Sequence, residues 1–458
     1  MVKRPRALAQ SRAAVLATVF VLGWALRVGL PGIDLTGIRF HHQVHSLRVS
    51  EVLALVSALL FIRAGPLGLP KLRSSLGTFA VAAFLLAGLA AGSSLWAPHP
   101  RLALLQGAHL AIWVAFAIVV AMVRVPPRRM AAAFVLGLLV HVVVGLTQAF
   151  VQRNVGLWAL GELQIRPGPP WSTITDGEWQ ILRVYGLSSH PNVLAGHFAI
   201  GMALCLGLAS GRRPGARALV GVAWTLLFVT LLLTFSRAGL LAAVLGMAVS
   251  AIWMSWTGAG RRISGLAVQL AAGGAAAIAI FAWALERHRL FASVLAEFVL
   301  RPAGATERFG LVHAAVRLMA EHPLGGVGAR NFSAATRAVT PDQTMLDSAH
   351  NVPLLIGAEL GLAGLIPAAI VVAVLLAVGR RHWSVRSVHL WYGPVAGALA
   401  ALTLASLLDH YPWTVPQGGL LGAWLAGWWL TEDPRSLEDR PQPPAEPERQ
   451  ERAASRSA

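Results

Sequence analysis

Acidic side chains are in short supply in this chain: 20 Asp and Glu stand against 38 Lys and Arg among 458 residues. Outside the C-terminal tail the only close acid pair is Asp176 and Glu178, and no Asp-x-Asp occurs. That argues against a transferase that grips a nucleotide diphosphate through Mg²⁺, an ion that wants several oxygen ligands. A P-loop is missing too, because Gly326-Val-Gly328 lacks the Lys, the Ser/Thr and the strand-to-helix context, so ATP-driven transport finds no support. The single cysteine, Cys205, can form no intrachain disulfide, and it lies in an apolar run that says nothing of redox compartment. Charge of either sign is sparse at 13% of residues, which argues against a soluble protein of this length.

What fills the chain is apolar: 56% hydrophobic residues and a mean hydropathy of +0.63. About twelve stretches approach the roughly 20 residues that cross a hydrocarbon core. They lie near 13–30, 49–63, 75–95, 103–123, 130–151, 190–209, 217–235, 238–257, 264–285, 352–378, 389–409 and 413–430. Lys3, Arg4, Arg6 and Arg12 precede the first without a small-residue cleavage pattern after it, so it reads as an anchor and not a signal peptide. With the N-terminus inside, the inner connections carry Arg63, Lys71, Arg73, Arg124, Arg128, Arg129, Arg212, Arg213, Arg217, Arg261, Arg262, Arg380, Arg381 and Arg386, and no acid. Such a bias predicts an even number of spans with both termini cytoplasmic. The expected fold class is an all-α polytopic membrane protein. The formal charge of +18 is then a topology signal, and nucleic acid is not an expected partner.

Two outer segments are long enough to be ordered, 152–189 and 286–351. The second contains a predicted helix opened by Thr306, with Phe309, Val312, Val316 and Met319 at helical spacing, closed by His322-Pro323 and Gly325, Gly326 and Gly328. Residues 1–430 form the membrane domain, and 431–458, rich in Pro, Glu and Arg, make a disordered tail.

Chemistry on the outer side rests on arginine and histidine. Arg237 stands in Thr234-Phe-Ser-Arg-Ala-Gly239, a turn between two apolar runs, which puts a guanidinium at headgroup depth; the plainer alternative is an arginine that snorkels to the interface. Asp347-Ser-Ala-His350-Asn351 opens a long span containing Glu359. Its imidazole suits a general base, with Asp347 to orient it and Asn351 at a helix N-terminus that favours anions. Glu359 is an intramembrane carboxylate and so a functional candidate, or one paired within the bundle. Further candidates are Arg183, His190 and Asn192 before the sixth span, then Arg308 and Arg330 in the second loop. His41, His42 and His45 lack Cys or carboxylate partners at metal spacing, and no metal site is expected.

In their order, Ser236-Arg237-Ala-Gly, Glu307-Arg308, His322-Pro-Leu-Gly-Gly-Val-Gly and His350-Asn351 with Glu-Leu-Gly-Leu-Ala-Gly resemble the O-antigen ligase and polymerase superfamily, over about 183–364. The resemblance implies a metal-independent glycosyltransferase that takes a glycan from undecaprenyl diphosphate at the periplasmic face. In ligases the acceptor is a hydroxyl of the lipid A core. By the same resemblance His350 is the essential histidine, Arg237 the hairpin arginine and Arg308 the loop arginine. Arg183, His190, Asn192, Arg330, Asn351, Asp347 and Glu359 bind substrate or support the site. No cofactor is expected, the enzyme is expected as a monomer among membrane lipids, and a polymerase of the same superfamily or a lipid-linked oligosaccharide flippase are the alternatives.

Overall fold

The computed structural model describes residues 3–28, 47–65, 74–168, 172–176, 179–210, 213–256, 270, 272–275, 278–279, 282, 305–339, 348–384 and 390–431. Within them the chain is a bundle of helices: α1 (Lys3–Phe20), α2 (Val49–Arg63), α3 (Ser75–Gly92), α4 (Pro100–Val123), α5 (Pro127–Val151), α6 (Pro191–Ala209), α7 (Pro214–Leu233), α8 (Arg237–Trp256), α9 (Ala305–Glu321), α10 (Phe332–Val339), α11 (Val352–Ser384), α12 (Tyr392–Leu408), α13 (Tyr411–Thr414) and α14 (Pro416–Trp429). Two short antiparallel ladders join them, β1 (Arg27–Val28) with β2 (Leu47–Arg48) and β3 (Thr173–Asp176) with β4 (Trp179–Leu182). The β3–β4 hairpin gives segment 152–189 its order.

Helix starts follow from proline. α4, α5, α6, α7 and α14 each begin on one, where its missing N–H would have no intrahelical partner anyway and its φ is already helical. Among the described residues, seven helices are long and apolar enough to cross a membrane: α3 with the turn after it, α4, α5, α6, α7, α8 and α11. α2, α12 and α14, at 15, 17 and 14 residues, are shorter, and the span expected at 264–285 lies largely outside the described residues, as do the histidines at 41, 42 and 45 and all but the first residue of the tail.

Two boundaries differ from expectation. The first helix runs from Lys3 to Phe20, not over 13–30. Arg12 is therefore inside it, and its Nε donates to the Val123 carbonyl at the C-terminus of α4, where a cation is favoured. Beyond Phe20 the backbone leaves the helix because it has other partners: Ala25 N–H donates to the Leu187 carbonyl, and Gly23 passes so close to His141 that a side chain would collide with it. The stretch 413–430 is likewise divided, since Pro416 forces Val415 into an extended conformation between α13 and α14.

α6 is the centre of the bundle. Of its 19 residues only Asn192 is not fully buried; α5, α7, α8 and α12 pack around it. α8 and α12 approach most closely where Gly246 and Gly397 face each other beside Ser250, the small-residue contact by which helices associate in a medium as apolar as their side chains. A buried carboxylate on α2 is paired within the bundle: Glu51 accepts from Trp113 Nε1 at 2.9 Å and meets His109 Nδ1 at 2.5 Å.

The loop helix forms as predicted but buries a different face. Leu311, Ala314, Ala315 and Leu318 are buried, whereas Phe309 and Val316 are exposed. Spacing by itself allowed either stripe; the buried one pairs small alanines with two leucines, which lets α9 lie close against α11. α11 in turn is broken at Gly361, whose φ of 60° and ψ of −157° are not helical. The loop after α9 repairs the break: Val327 and Gly328 donate to the carbonyls of Ala358 and Glu359, while Leu362 and Ala363 donate to those of Pro323 and Leu324. Backbone groups freed inside a membrane helix need such partners. Two motifs that are separate in sequence, His322-Pro-Leu-Gly-Gly-Val-Gly and Glu-Leu-Gly-Leu-Ala-Gly, thus form one joint.

Candidate functional site

The site gathers at the starts of α6, α8 and α11 and the end of α12. At α6, His190 is the N-cap: its Nδ1 accepts from the Asn192 N–H at 3.1 Å. That leaves Nε2 to carry the proton, and it meets Ser172 Oγ at 3.0 Å. Asn192, on the first turn, uses both ends of its amide. Its Oδ1 accepts from an Arg183 guanidinium nitrogen at 2.6 Å, and its Nδ2 donates to Asp409 Oδ2 at 2.8 Å.

Asp409 follows directly on α12 and is 3% exposed. Its Oδ1 accepts from the His410 backbone N–H at 2.7 Å and lies 3.6 Å from His350 Nδ1 and 3.9 Å from His410 Nε2. Burial alone would raise this carboxyl, but the hydrogen-bonding interaction with His350 and the electrostatic attraction of the His410, His350 and His190 imidazoles outweigh it. Asp409 is held well below the usual carboxylate range and is an anion at neutral pH.

His350 reaches Asp409 because Asn351 clamps two helices. Asn351 Oδ1 caps α11 by accepting from Leu354 N–H at 3.0 Å, and its Nδ2 donates to the Leu407 carbonyl at the end of α12, 3.1 Å away. Ser189, His190, Asn192, His350, Asp409 and His410 share a cavity of about 70 Å³ with Tyr411 and apolar neighbours. Such a volume suits a hydroxyl group and the reacting atoms, not a whole glycan. The His350 and His410 rings stand edge to face with centroids 5.0 Å apart.

Arg183 adjoins this wall through Asn192. The turn between α7 and α8 is only 234–236, with Phe235 at φ 48° and Ser236 Oγ accepting from Gly239 N–H. It leaves Arg237 as the first residue of α8, at the positive end of a 20-residue helix. A cation there is unfavourable by itself by a few tenths of a kcal/mol to about 1 kcal/mol, and the arrangement becomes favourable when an anion joins it. Arg183 Nε donates to the Thr234 carbonyl of the same turn at 2.7 Å. Its guanidinium is pushed down to about 10, first by burial and further by repulsion from Arg308 and Arg237, against the pull of Tyr185 and Asp409. Three arginines from three segments therefore lie within electrostatic reach of one another.

Of the residues expected at a site, His350, His190 and Asn192 line the cavity, Arg183 and Asn351 brace it, and Arg237 and Arg308 lie within electrostatic reach of Arg183. Arg330 and Glu359 are placed elsewhere. Arg330 is buried with its guanidinium on the Thr414 carbonyl, and Glu359 accepts from Trp413 Nε1 at 2.8 Å and from the backbone N–H groups of Arg330 and Phe332. Both serve the joint between the loop and the broken helix, because a carboxylate and a guanidinium inside a bundle are stable only where their hydrogen bonds are met. Asp347 and the Glu307 side chain lie outside the described residues.

Asp409 and His410 were missed. Their signal was an Asp-His pair at the end of an apolar run in a chain with few acids, but nothing in the linear order ties 409 to 350. Together His350, Asp409 and His410 bring one donor atom each to within 4.8 Å of the others, which bears on the expectation that no metal site exists.

No curated protein matches this chain. A family model described as O-antigen ligase matches residues 221–368, the stretch that includes Arg237, Arg308, the Gly326–Gly361 joint and His350. Arg183, His190, Asn192 and Asp409 come from outside it. Over residues 221–368 the chain is thus similar to the O-antigen ligase family, within a bundle of apolar helices long enough to cross a membrane.

Proposed function

We propose that this protein is an O-antigen ligase of the bacterial inner membrane, transferring a glycan from undecaprenyl diphosphate to a lipid A core hydroxyl at the periplasmic face. The observation that carries the reading is the convergence of a histidine and three arginines. His350 sits 3.6 Å from the buried Asp409 carboxylate, which Asn192 links to Arg183, itself within electrostatic reach of Arg237 and Arg308.

The chemistry follows from this layout. Asp409 on the Nδ1 side of His350 favours the tautomer with the proton on Nδ1 and leaves the Nε2 lone pair as the base. Nε2 takes the proton of the acceptor hydroxyl as its oxygen attacks the anomeric carbon. The bond from that carbon to the diphosphate oxygen breaks, and undecaprenyl diphosphate leaves with the electron pair. One displacement of this kind inverts the anomeric centre. Arg237 and Arg308, with the N-terminal N–H groups of α8, stabilise charge developing on the leaving oxygen. Arginine thereby supplies what Mg²⁺ supplies in metal-dependent transferases, and two imidazoles with one carboxylate do not make the oxygen shell Mg²⁺ needs.

The test is transfer by purified full-length protein in detergent, with undecaprenyl-linked glycan and lipid A core. Glycan joined to core supports the ligase, lengthening of the donor without core identifies a polymerase, and absence of any transfer leaves a flippase. Full activity is expected with EDTA present, and a strict requirement for a divalent metal would overturn the mechanism. Arg237→Ala is expected to lower kcat/KM about 10²–10³-fold, the usual cost of removing one donor to a developing oxyanion, with no change in detergent thermal stability. A loss confined to stability would assign this arginine to the snorkelling role.

A further inference from the structure

The same wall carries a second property, and its effect on activity rests on the reading just given. We propose that His350, Asp409 and His410 form a binding site for a borderline divalent cation of the zinc type, and that occupancy inhibits the enzyme by taking His350 out of its base form.

Geometry comes first. Tetrahedral zinc with bonds near 2.1 Å sets its donor atoms about 3.4 Å apart. Here Asp409 Oδ1 lies 3.6 Å from His350 Nδ1 and 3.9 Å from His410 Nε2, and all three atoms fall within 4.8 Å. From these separations, side-chain adjustments of tenths of an ångström up to more than one ångström close the three atoms on an ion. The surroundings supply the support that zinc ligands use. His410 Nδ1 meets Thr414 Oγ1 at 2.6 Å, and that hydroxyl donates onward to the His410 carbonyl. Nδ1 is then the ring's donor, and in the neutral ring the Nε2 lone pair is turned toward the Asp409 carboxylate, an arrangement a cation between them reconciles. Asp409 Oδ2 is steadied by Asn192 and Oδ1 by the His410 backbone N–H, and the second lone pair of Oδ1 is the one that would meet the ion. Access is through the cavity that these three residues line, whose remaining volume admits an ion with a water or hydroxyl ligand in the fourth position.

The inhibitory consequence is a matter of tautomers. A cation on His350 Nδ1 displaces the proton that Asp409 keeps there, so a neutral ring must carry its proton on Nε2. No lone pair is then left to accept the acceptor hydroxyl's proton. Zinc is also a tighter ligand for this set than the alkaline-earth ions.

The experiment separates binding from activity. Purified, chelator-stripped full-length protein is titrated with Zn²⁺ by equilibrium dialysis, and with Co²⁺ by its visible absorption. One tight site per chain is expected, with a tetrahedral Co²⁺ spectrum. Asp409→Asn and His410→Gln are expected to weaken binding by at least about tenfold, since even loss of a supporting hydrogen bond costs 10- to 100-fold. Circular dichroism and gel filtration confirm that both variants remain folded. The triple variant His41→Ala, His42→Ala, His45→Ala is expected to retain the site, and loss of zinc there with retention in His410→Gln would overturn the assignment. In the transfer assay Zn²⁺ is expected to inhibit and EDTA to restore the rate, with each variant compared with its own rate in EDTA. Binding without inhibition would overturn the inhibitory part alone. Absence of transfer under every condition would count against the proposed function and leave the binding result standing.

Discussion

Alanine in place of His350 is expected to lower kcat for glycan transfer by about 10²–10⁴-fold, the range a positioned general base contributes. KM for the donor should stay within a few-fold, because the proposed mechanism assigns the diphosphate to Arg237 and Arg308 and not to the imidazole. His350→Gln keeps much of the volume and a hydrogen-bonding group but cannot accept the proton, so it should fall as far. Asp409→Asn should lose less, since an amide at 409 can still hydrogen-bond Asn192 while no longer favouring the Nδ1 proton of His350. That graded order distinguishes a base and its positioning carboxylate from two structural residues, whose loss would show in thermal stability instead. A His350→Ala enzyme with kcat within twofold of the parent would remove His350 from the chemistry.

The second large effect is structural. Gly361→Ala is expected to destabilise the protein and to abolish transfer, although the residue touches no substrate. Its backbone conformation is one that only glycine adopts readily, costing a side chain of order 1–3 kcal/mol, and a Cβ there would run into the backbone of Leu324. Gly326, at φ 62°, faces the reciprocal constraint from the backbone of Glu359. Relief of either clash separates the loop from the broken helix. The four backbone hydrogen bonds between 322–328 and 358–363 then have no replacement partners, and α9 with Arg308 loses its position relative to His350. Thermal unfolding in detergent measures the effect, with Gly88→Ala as the reference, because a Cβ on Gly88 meets nothing within 4 Å. Equal melting temperatures for the two variants would show that the joint does not hold the loop.

How legible the site was in the sequence depends on the range of each interaction. Arg237 and Asn351 could be read where they stand, one from a turn too short to be anything but a hairpin and the other from a helix start. The bonds that set both places are local: Ser236 Oγ accepts from Gly239 N–H, and Asn351 Oδ1 accepts from Leu354 N–H, each three residues on. His350 was legible as a base but not with its carboxylate: Asp347 is close in sequence, whereas Asp409 comes into contact only through the packing of α11 against α12. Arg330 and Glu359 looked like site residues because buried charge in a membrane protein so often is. Folding turned them inward, where Trp413, Thr414 and backbone amides meet their hydrogen bonds.

The amino-acid sequence by itself determined that this chain carries helices fit to cross a membrane, where five of its longer helices begin, and which arginines and histidines are candidates for chemistry. These follow from transfer free energy, proline geometry and composition, all of which act within a few residues. Only the tertiary structure decided which helices are neighbours. Apolar faces of similar hydropathy are interchangeable to lipid, and the choice is made by glycine contacts and by polar groups that must find partners across the bundle. That choice put Asp409 beside His350, joined the glycine loop to the break in α11, and set three ligand atoms close enough to share one ion.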